Sequence, residues 1–148
     1  FDVAHYREYP HQYEATFHSQ VAPYTTVLVN GIYWDQRYPR LLTKSQLAAL
    51  HEAREHDVSR PMLMVSDISC DVGGSVEFLA RATPIERPYF DYDPALQPSP
   101  DSSLQPSRDD PSAHGVRDDI QRGGTTVMGV DILPSELPKE ASEFFGDR

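Results

Sequence analysis

The sequence predicts an α/β fold with a parallel sheet, and three strand-like runs together with one helix carry this prediction. Residues 27–29 and 62–65 are short apolar runs, long enough for strands buried on both faces and too short for helices. Residues 125–132 are predicted to form a third strand. A helix between the first two runs completes a strand, helix, strand unit, whose crossover makes the two strands parallel.

The helix is predicted from Lys44 to about His56. Thr43 precedes it as an N-cap residue, and Gln46 lies three positions later, which is the spacing of a capping box. Leu47 and Leu50 lie on one side of the helix and charged residues on the other, as expected for a helix that packs on a sheet. The loops after the first two strands therefore emerge at the same edge.

Helical segments are also predicted at both ends of the chain. Residues 2–20 suggest two short helical pieces broken at Pro10, and Pro138 favours the start of a helix from Lys139 to about Phe145. One short strand is expected within residues 76–92. The N-terminal apolar stripe is expected to lie in the core; its members are Val3, Tyr6, Tyr9, Tyr13 and Phe17.

Polar and glycine residues follow the first two predicted strands, and each admits two interpretations. Asn30-Gly31 is a strong hairpin signal, but Gly31 also lets the backbone approach a ligand at the end of a strand. Asp67 and Asp71 precede Gly73-Gly74, so these carboxylates either cap a turn or belong to a ligand site at the carboxyl end of the strand.

Composition excludes several classes of function. The net charge of −10 argues against a nucleic-acid surface, which needs clustered Lys and Arg. No apolar run approaches the roughly 20 residues of a membrane helix. Cys70 is the single cysteine, so an internal disulfide is impossible and a reducing compartment, cytoplasm or mitochondrial matrix, is expected. The histidine spacings predict no metal site, since the run beginning His51-Glu52 has Glu55 where a zinc-protease helix needs histidine.

The chain length of 148 residues fits one domain. Residues 94–124 are rich in proline, serine and aspartate and poor in apolar residues, so this segment is predicted to be a disordered insertion. Because the chain starts at Phe1, without an initiator methionine, we expect it to be a segment of a longer polypeptide.

Three motifs in this order resemble the lysine-ketoglutarate reductase family. The first comprises residues 30–34 (NGIYW) and 39–43 (PRLLT), the second residues 66–78 (SDISCDVGGSVEF), and the third residues 130–142 (VDILPSELPKEAS). This family is the lysine-forming saccharopine dehydrogenase, the reductase region of bifunctional α-aminoadipic semialdehyde synthases. Alanine dehydrogenase and the nicotinamide nucleotide transhydrogenase are wider relatives. The resemblance covers nearly the whole chain except residues 94–124.

The resemblance implies the C-terminal half of a Rossmann-type NAD(P)-binding domain with flanking helices. It also implies which residues line the NADP or NAD cofactor, with Asp71 as the active-site carboxylate that orients cofactor or substrate. The implied cofactor-binding residues are Asn30, Gly31, Ile32, Tyr33, Leu41, Asp67, Ile68, Ser69, Cys70, Asp71, Leu133, Pro134, Ser135 and Glu136.

The implied reaction is the condensation of L-lysine with 2-oxoglutarate and hydride delivery to the imine, which gives saccharopine. By the same resemblance, the glycine-rich phosphate turn and the lysine and histidine that transfer protons belong to an upstream domain, so these 148 residues alone are expected to be inactive. Two alternatives stay open. One is a monofunctional NAD-dependent saccharopine dehydrogenase of lysine biosynthesis, and the other is a non-catalytic nucleotide-binding or scaffold remnant.

Overall fold

The computed structural model describes residues 1–54, 62–96, 115–118, 123–131 and 138–146. These residues form four α-helices, two short 3-10 helices and five strands. The helices are α1 (Val3–Glu8), α2 (Phe17–Gln20), α3 (Lys44–Arg54) and α4 (Pro138–Gly146), and the 3-10 helices span Pro10–Gln12 and Ala22–Tyr24. The strands are β1 (Val27–Asn30), β2 (Met64–Asp67), β3 (Tyr89–Tyr92), β4 (Val116–Arg117) and β5 (Thr125–Met128).

The five strands form one mixed sheet in the order β1-β2-β5-β3-β4. β1 pairs with β2, and β2 with β5, in parallel. β3 runs antiparallel to both β5 and β4. The predicted α/β class is confirmed, and the three predicted strands are parallel, but the predicted parallel sheet is in fact mixed, because β3 pairs antiparallel with β5 and β4.

The predicted strand, helix, strand unit is confirmed, including its capping box. The backbone N–H of Thr43 donates to Gln46 Oε1 at 2.9 Å, and the N–H of Gln46 donates to Thr43 Oγ1 at 3.2 Å. The second strand begins at Met64 rather than at Met62, because Met62 has a φ of 55° and therefore leaves the extended conformation. The short strand expected within residues 76–92 is β3, and α4 begins at Pro138, one residue before the predicted start at Lys139.

The core lies on one face of the sheet. Val65, Val127 and Phe90 are paired in register across β2, β5 and β3, and all three are fully buried. Leu47 of α3 is fully buried with them, and the Phe78 and Tyr92 rings stack with their centroids 5.3 Å apart. Helix α3 and the segment that follows β2 therefore cover this face and hold the strand ends in place.

The expected burial of β1 on both faces is wrong. Val27 and Val29 are 52% and 62% exposed, whereas Leu28 between them packs against the core. Successive side chains of a strand point to opposite faces, and β1 is an edge strand of the sheet. The apolar run thus predicted the strand correctly, but it did not predict that one face of the strand is exposed.

Most of the N-terminal stripe also lies outside the core, although Phe17 packs against it. Two helical pieces interrupted at Pro10 are present as predicted, but Val3 and Tyr9 are exposed. The stripe instead contributes to a surface cluster of rings, in which Tyr6 and Tyr13 pack at right angles with centroids 5.0 Å apart. Helices of only six and four residues are too short to cover the sheet.

Most of the predicted insertion, residues 94–124, lies outside the described residues. Within that range Val116–Arg117 forms β4, which pairs with Asp91 and Tyr92 of β3. In the described ranges, no helix has the length and apolar character needed to cross a membrane. The same ranges contain no group of three His, Cys, Asp or Glu residues placed to hold a metal ion.

Candidate functional site

Asn30 and Asp67 meet at the carboxyl edge of the parallel strands. They are the last residues of β1 and β2 and are partners in the strand register. Asn30 is 2% exposed and Asp67 is 1% exposed. Asn30 Nδ2 donates a hydrogen bond to Asp67 Oδ1 at 3.0 Å, which ties the two strand ends together through their side chains.

Two serines extend this contact into a buried polar network. Asn30 Nδ2 also donates to Ser75 Oγ at 2.9 Å, and Ser69 Oγ donates to Asp67 Oδ1 at 2.5 Å. The backbone N–H of Cys70 donates to the same Asp67 oxygen at 3.3 Å. The hairpin interpretation of Asn30-Gly31 is therefore wrong, because the asparagine ends a parallel strand and its amide joins three segments of the chain. Below, the strand-end network means Asn30, Asp67, Ser69 and Ser75.

The loop after β2 is fixed to both neighbouring strands. The backbone N–H of Ile68 donates to the Asn30 carbonyl at 2.7 Å, and the Cys70 thiol donates to the Gly129 carbonyl beyond β5 at 3.0 Å. Cys70 itself has a φ of 51°. Burial raises the pKa of this thiol, and the carboxylates of Asp131, Asp67 and Asp71 raise it further. Both effects disfavour the thiolate, which agrees with the role of the thiol as a hydrogen-bond donor to Gly129.

A tight turn follows, and it displays the second carboxylate. The backbone N–H of Gly74 donates to the Asp71 carbonyl at 2.7 Å, and Gly73 has a φ of 65°, where glycine is favoured. A Cβ at Gly74 would lie 2.6 Å from Asp71 Cβ, so this position has no room for a side chain. Asp67 thus stabilises the loop from within, whereas the side chain of Asp71 is exposed.

Arg40 connects this turn to the loop between β1 and α3. Its Nη1 donates to the carbonyls of Gly73 and Gly74, and its guanidinium lies over the Trp34 ring, 4.7 Å from the centroid. The backbone N–H of Leu42 donates to the Ser75 carbonyl at 3.1 Å. The first and second motifs are therefore connected by the Arg40 guanidinium and by an isolated β-bridge between Leu42 and Val76.

The predicted site residues fall into two layers. Asn30 and Asp67 are buried below the edge, and Ser69, Cys70 and Leu41 are partly buried. The exposed layer comprises Gly31, Ile32, Tyr33, Ile68 and Asp71. A Cβ built on Gly31 would have no atom within 4 Å, so the backbone there faces open space. Leu133, Pro134, Ser135 and Glu136 lie outside the described residues.

Comparison with curated proteins relates nearly the whole of this chain to one kind of protein. No protein-family model matches it. It is 41% identical over 147 residues to alpha-aminoadipic semialdehyde synthase of Arabidopsis thaliana, and 35% identical over 156 residues to the mitochondrial alpha-aminoadipic semialdehyde synthases of Bos taurus and Mus musculus. Each match covers 99% of this chain. The chain is homologous to one segment of these synthases. It spans 12% of the plant protein and 15% of each mammalian one, and the resemblance predicted from the three motifs is confirmed.

Two residues that hold the synthase-like segment together were not predicted from its sequence. Arg40 and Ser75 belong to the quoted motifs, but their side-chain hydrogen bonds are to residues 33 to 45 positions away. The clearest available signal was local: Ser75 directly follows the glycine pair, where a small polar side chain suits a buried position. An arginine between a proline and two leucines carries no comparable signal of its partners.

Proposed function

We propose that the chain forms the C-terminal half of a Rossmann-type nicotinamide-binding domain in an enzyme that condenses L-lysine reductively with 2-oxoglutarate to give saccharopine. The similarity of nearly the whole chain to proteins named alpha-aminoadipic semialdehyde synthase carries this proposal. These names favour the bifunctional enzyme of lysine degradation over the monofunctional alternative. The mitochondrial names of the mammalian relatives favour the mitochondrial matrix over the cytoplasm.

The exposed layer of the strand edge fits a nicotinamide cofactor, NADP or NAD. Ligands of parallel α/β sheets bind outside the carboxyl ends of the strands, which is where Gly31 and Ile68 lie. Gly31 has open space where a Cβ would be, so a flat ring or a ribose can approach its backbone. When bound, the cofactor supplies the hydride that reduces the imine.

Different residues of the chain would hold the cofactor and support its site. Residues 31–33 and 68–71 would flank it, and Leu41 would pack against it. Asp71, exposed at the end of the loop, would orient the cofactor amide or the substrate by accepting hydrogen bonds. Asn30 and Asp67, being buried, would act by fixing the two loops in position.

The test uses the longer enzyme that carries this segment, as wild type and as Asp71→Asn. We expect oxidation of NADPH or NADH that requires both lysine and 2-oxoglutarate, and a fall of more than about tenfold in kcat/KM in the variant, about 1.4 kcal/mol in the barrier. Glu52→Gln is the matched control, because Glu52 is an exposed carboxylate near the end of α3. A folded enzyme without such activity would favour the scaffold alternative.

A further inference from the structure

Arg40 joins the two loops that border the candidate site, namely the loop between β1 and α3 and the turn after β2. Its Nη1 donates to the carbonyls of Gly73 and Gly74. A second connection between the same loops runs from the backbone N–H of Leu42 to the Ser75 carbonyl at 3.1 Å. Because Leu42 and Ser75 are buried whereas Gly73 is exposed, Arg40 makes the outer of these two connections.

The Arg40 side chain is held in place by its own loop. Its guanidinium lies over the Trp34 ring, 4.7 Å from the centroid. The indole is fixed in turn, since Trp34 Nε1 donates to the carbonyls of Tyr38 at 3.1 Å and Pro39 at 3.2 Å. A planar guanidinium can stack on a ring and donate hydrogen bonds from its edge at the same time, which an ammonium group cannot do. The position therefore suits arginine specifically.

The two carbonyls that accept from Arg40 close the turn whose first residue is Asp71. The backbone N–H of Gly74 donates to the Asp71 carbonyl at 2.7 Å, and Gly73, at the third position of the turn, has a φ of 65°. The N–H of Gly73 donates to the Leu79 carbonyl at 3.2 Å. Because Asp71 and Gly74 are hydrogen-bonded to each other, a shift of the turn away from Arg40 would also move Asp71.

We propose that Arg40 is a positioning residue, which sets the distance between Asp71 and residues 31–33 by holding the turn against the loop between β1 and α3. The inference rests on the proposed function, in which Asp71 and residues 31–33 lie on either side of the cofactor. Arg40 acts through Asp71 and is assigned no contact with substrate or cofactor. Because a misplacement of about 1 Å can lower a rate about 100-fold, loss of this contact should be visible in kcat.

The first experiment measures steady-state kinetics of the longer enzyme that carries this segment. We expect Arg40→Met to lower kcat/KM about tenfold, and Arg40→Lys, which keeps the charge, to lower it less. Arg37→Met is the matched control and should stay within about twofold of wild type. Arg37 belongs to the same loop, but it pairs with Asp35 at 2.7 Å and lies over the Tyr38 ring. Equal losses in Arg40→Met and Arg37→Met would overturn the proposal.

A double-mutant cycle distinguishes positioning of Asp71 from a general structural role. In an Asp71→Asn enzyme the carboxylate that Arg40 positions is already absent, so adding Arg40→Met should lower kcat/KM by less than about twofold further. A further loss of about tenfold in this background would show that Arg40 does not act through Asp71, and would contradict the proposal. Denaturant unfolding checks that each variant is folded, and Arg40→Lys carries the same cycle where Arg40→Met does not fold.

Amide hydrogen exchange of the same enzyme without ligands separates this inference from the proposed function. We expect residues 71–79 to exchange faster in Arg40→Met and not in Arg37→Met, because the hydrogen bonds of Gly73 and Gly74 open more often. Faster exchange in a folded enzyme without lysine-dependent reaction supports the role of Arg40 and refutes the reductase assignment alone. An active enzyme with unchanged exchange in Arg40→Met overturns the inference alone. Unchanged exchange in an inactive enzyme overturns both.

Discussion

The strand edge has a buried layer that holds its loops and an exposed layer that is open to a ligand, and an aspartate occurs in each. Asp67 and Asp71 are four positions apart, yet Asp67 is 1% exposed with three hydrogen bonds to one oxygen, whereas Asp71 lies exposed on a tight turn. Asn30 is buried and Gly31, the next residue, faces open space. A strand end can thus hold its loops with one polar residue and leave the neighbouring residue available to a ligand.

The largest effect on stability is expected from Asn30→Leu in the buried layer. The substitution removes the amide that donates to Asp67 and Ser75, and it leaves a buried carboxylate with fewer donors. Because unsatisfied buried polar groups cost about 1–3 kcal/mol, and more when charged, we expect a loss of about 3 kcal/mol in the free energy of unfolding. Chemical denaturation with an unchanged m-value would measure it.

The control for this change is Tyr33→Leu in the exposed layer. Tyr33 is 85% exposed, so its replacement should alter the free energy of unfolding by less than about 0.5 kcal/mol. If Asn30→Leu cost no more than Tyr33→Leu, the strand-end network would not be holding the loops.

A somewhat smaller loss of stability is expected from Gly74→Ala, in the turn that follows Asp71. Gly74→Ala would place a Cβ 2.6 Å from Asp71 Cβ and 2.7 Å from the Asp71 carbonyl oxygen, and we expect a loss of about 2 kcal/mol by overpacking. Gly31→Ala is the matched substitution, because its Cβ would meet nothing within 4 Å and should cost less than about 0.5 kcal/mol. Thermal or denaturant unfolding of both variants gives the comparison.

Gly31→Ala also tests whether the exposed layer receives the cofactor. We expect it to weaken nicotinamide cofactor binding while the unfolding free energy stays unchanged, since the new methyl group occupies space that the proposed ligand needs. Unchanged cofactor affinity in the longer enzyme would mean that the open space at Gly31 is not used.

Cys70 lies between the buried and the exposed layer, and we expect its thiol to react slowly, as a buried thiol does. Its pKa is raised, chiefly by burial, so at any given pH a smaller fraction is thiolate than in a free cysteine. Since the thiolate is the reactive form, alkylation by iodoacetamide should be slower at pH 8 than for a cysteine peptide, and its midpoint should lie at higher pH. Asp131→Asn should speed alkylation, because it removes a negative charge that opposes thiolate formation.

The local elements of this edge could be predicted from sequence because their signals are local. The capping box of Thr43 and Gln46 and the apolar run of β1 each occupy a few consecutive positions. The strand-end network could not be predicted, since Asn30 contacts residues 37 and 45 positions away. The Asn30-Gly31 pair suits a hairpin and a strand end equally well, and tertiary pairing with β2 decided between them.

The smallest effect on stability, and the sharpest separation of the layers, is expected from the two aspartates. Asp71→Asn should change the free energy of unfolding by less than about 0.5 kcal/mol, as for other exposed side chains. Asp67→Asn should cost more, because the uncharged amide oxygen accepts the three hydrogen bonds of Oδ1 more weakly than a carboxylate does, and the new NH2 group takes the buried position of Oδ2, which has no hydrogen-bond partner. The proposed reductase activity of the longer enzyme should show the reverse order. Asp71→Asn should lower kcat/KM in a fully folded enzyme, whereas the loss of activity in Asp67→Asn should follow the fraction of the enzyme that is folded. Equal stability of the two variants would mean that burial does not distinguish the carboxylates, and then the assignment of Asp71 to the ligand side would lose its physical basis.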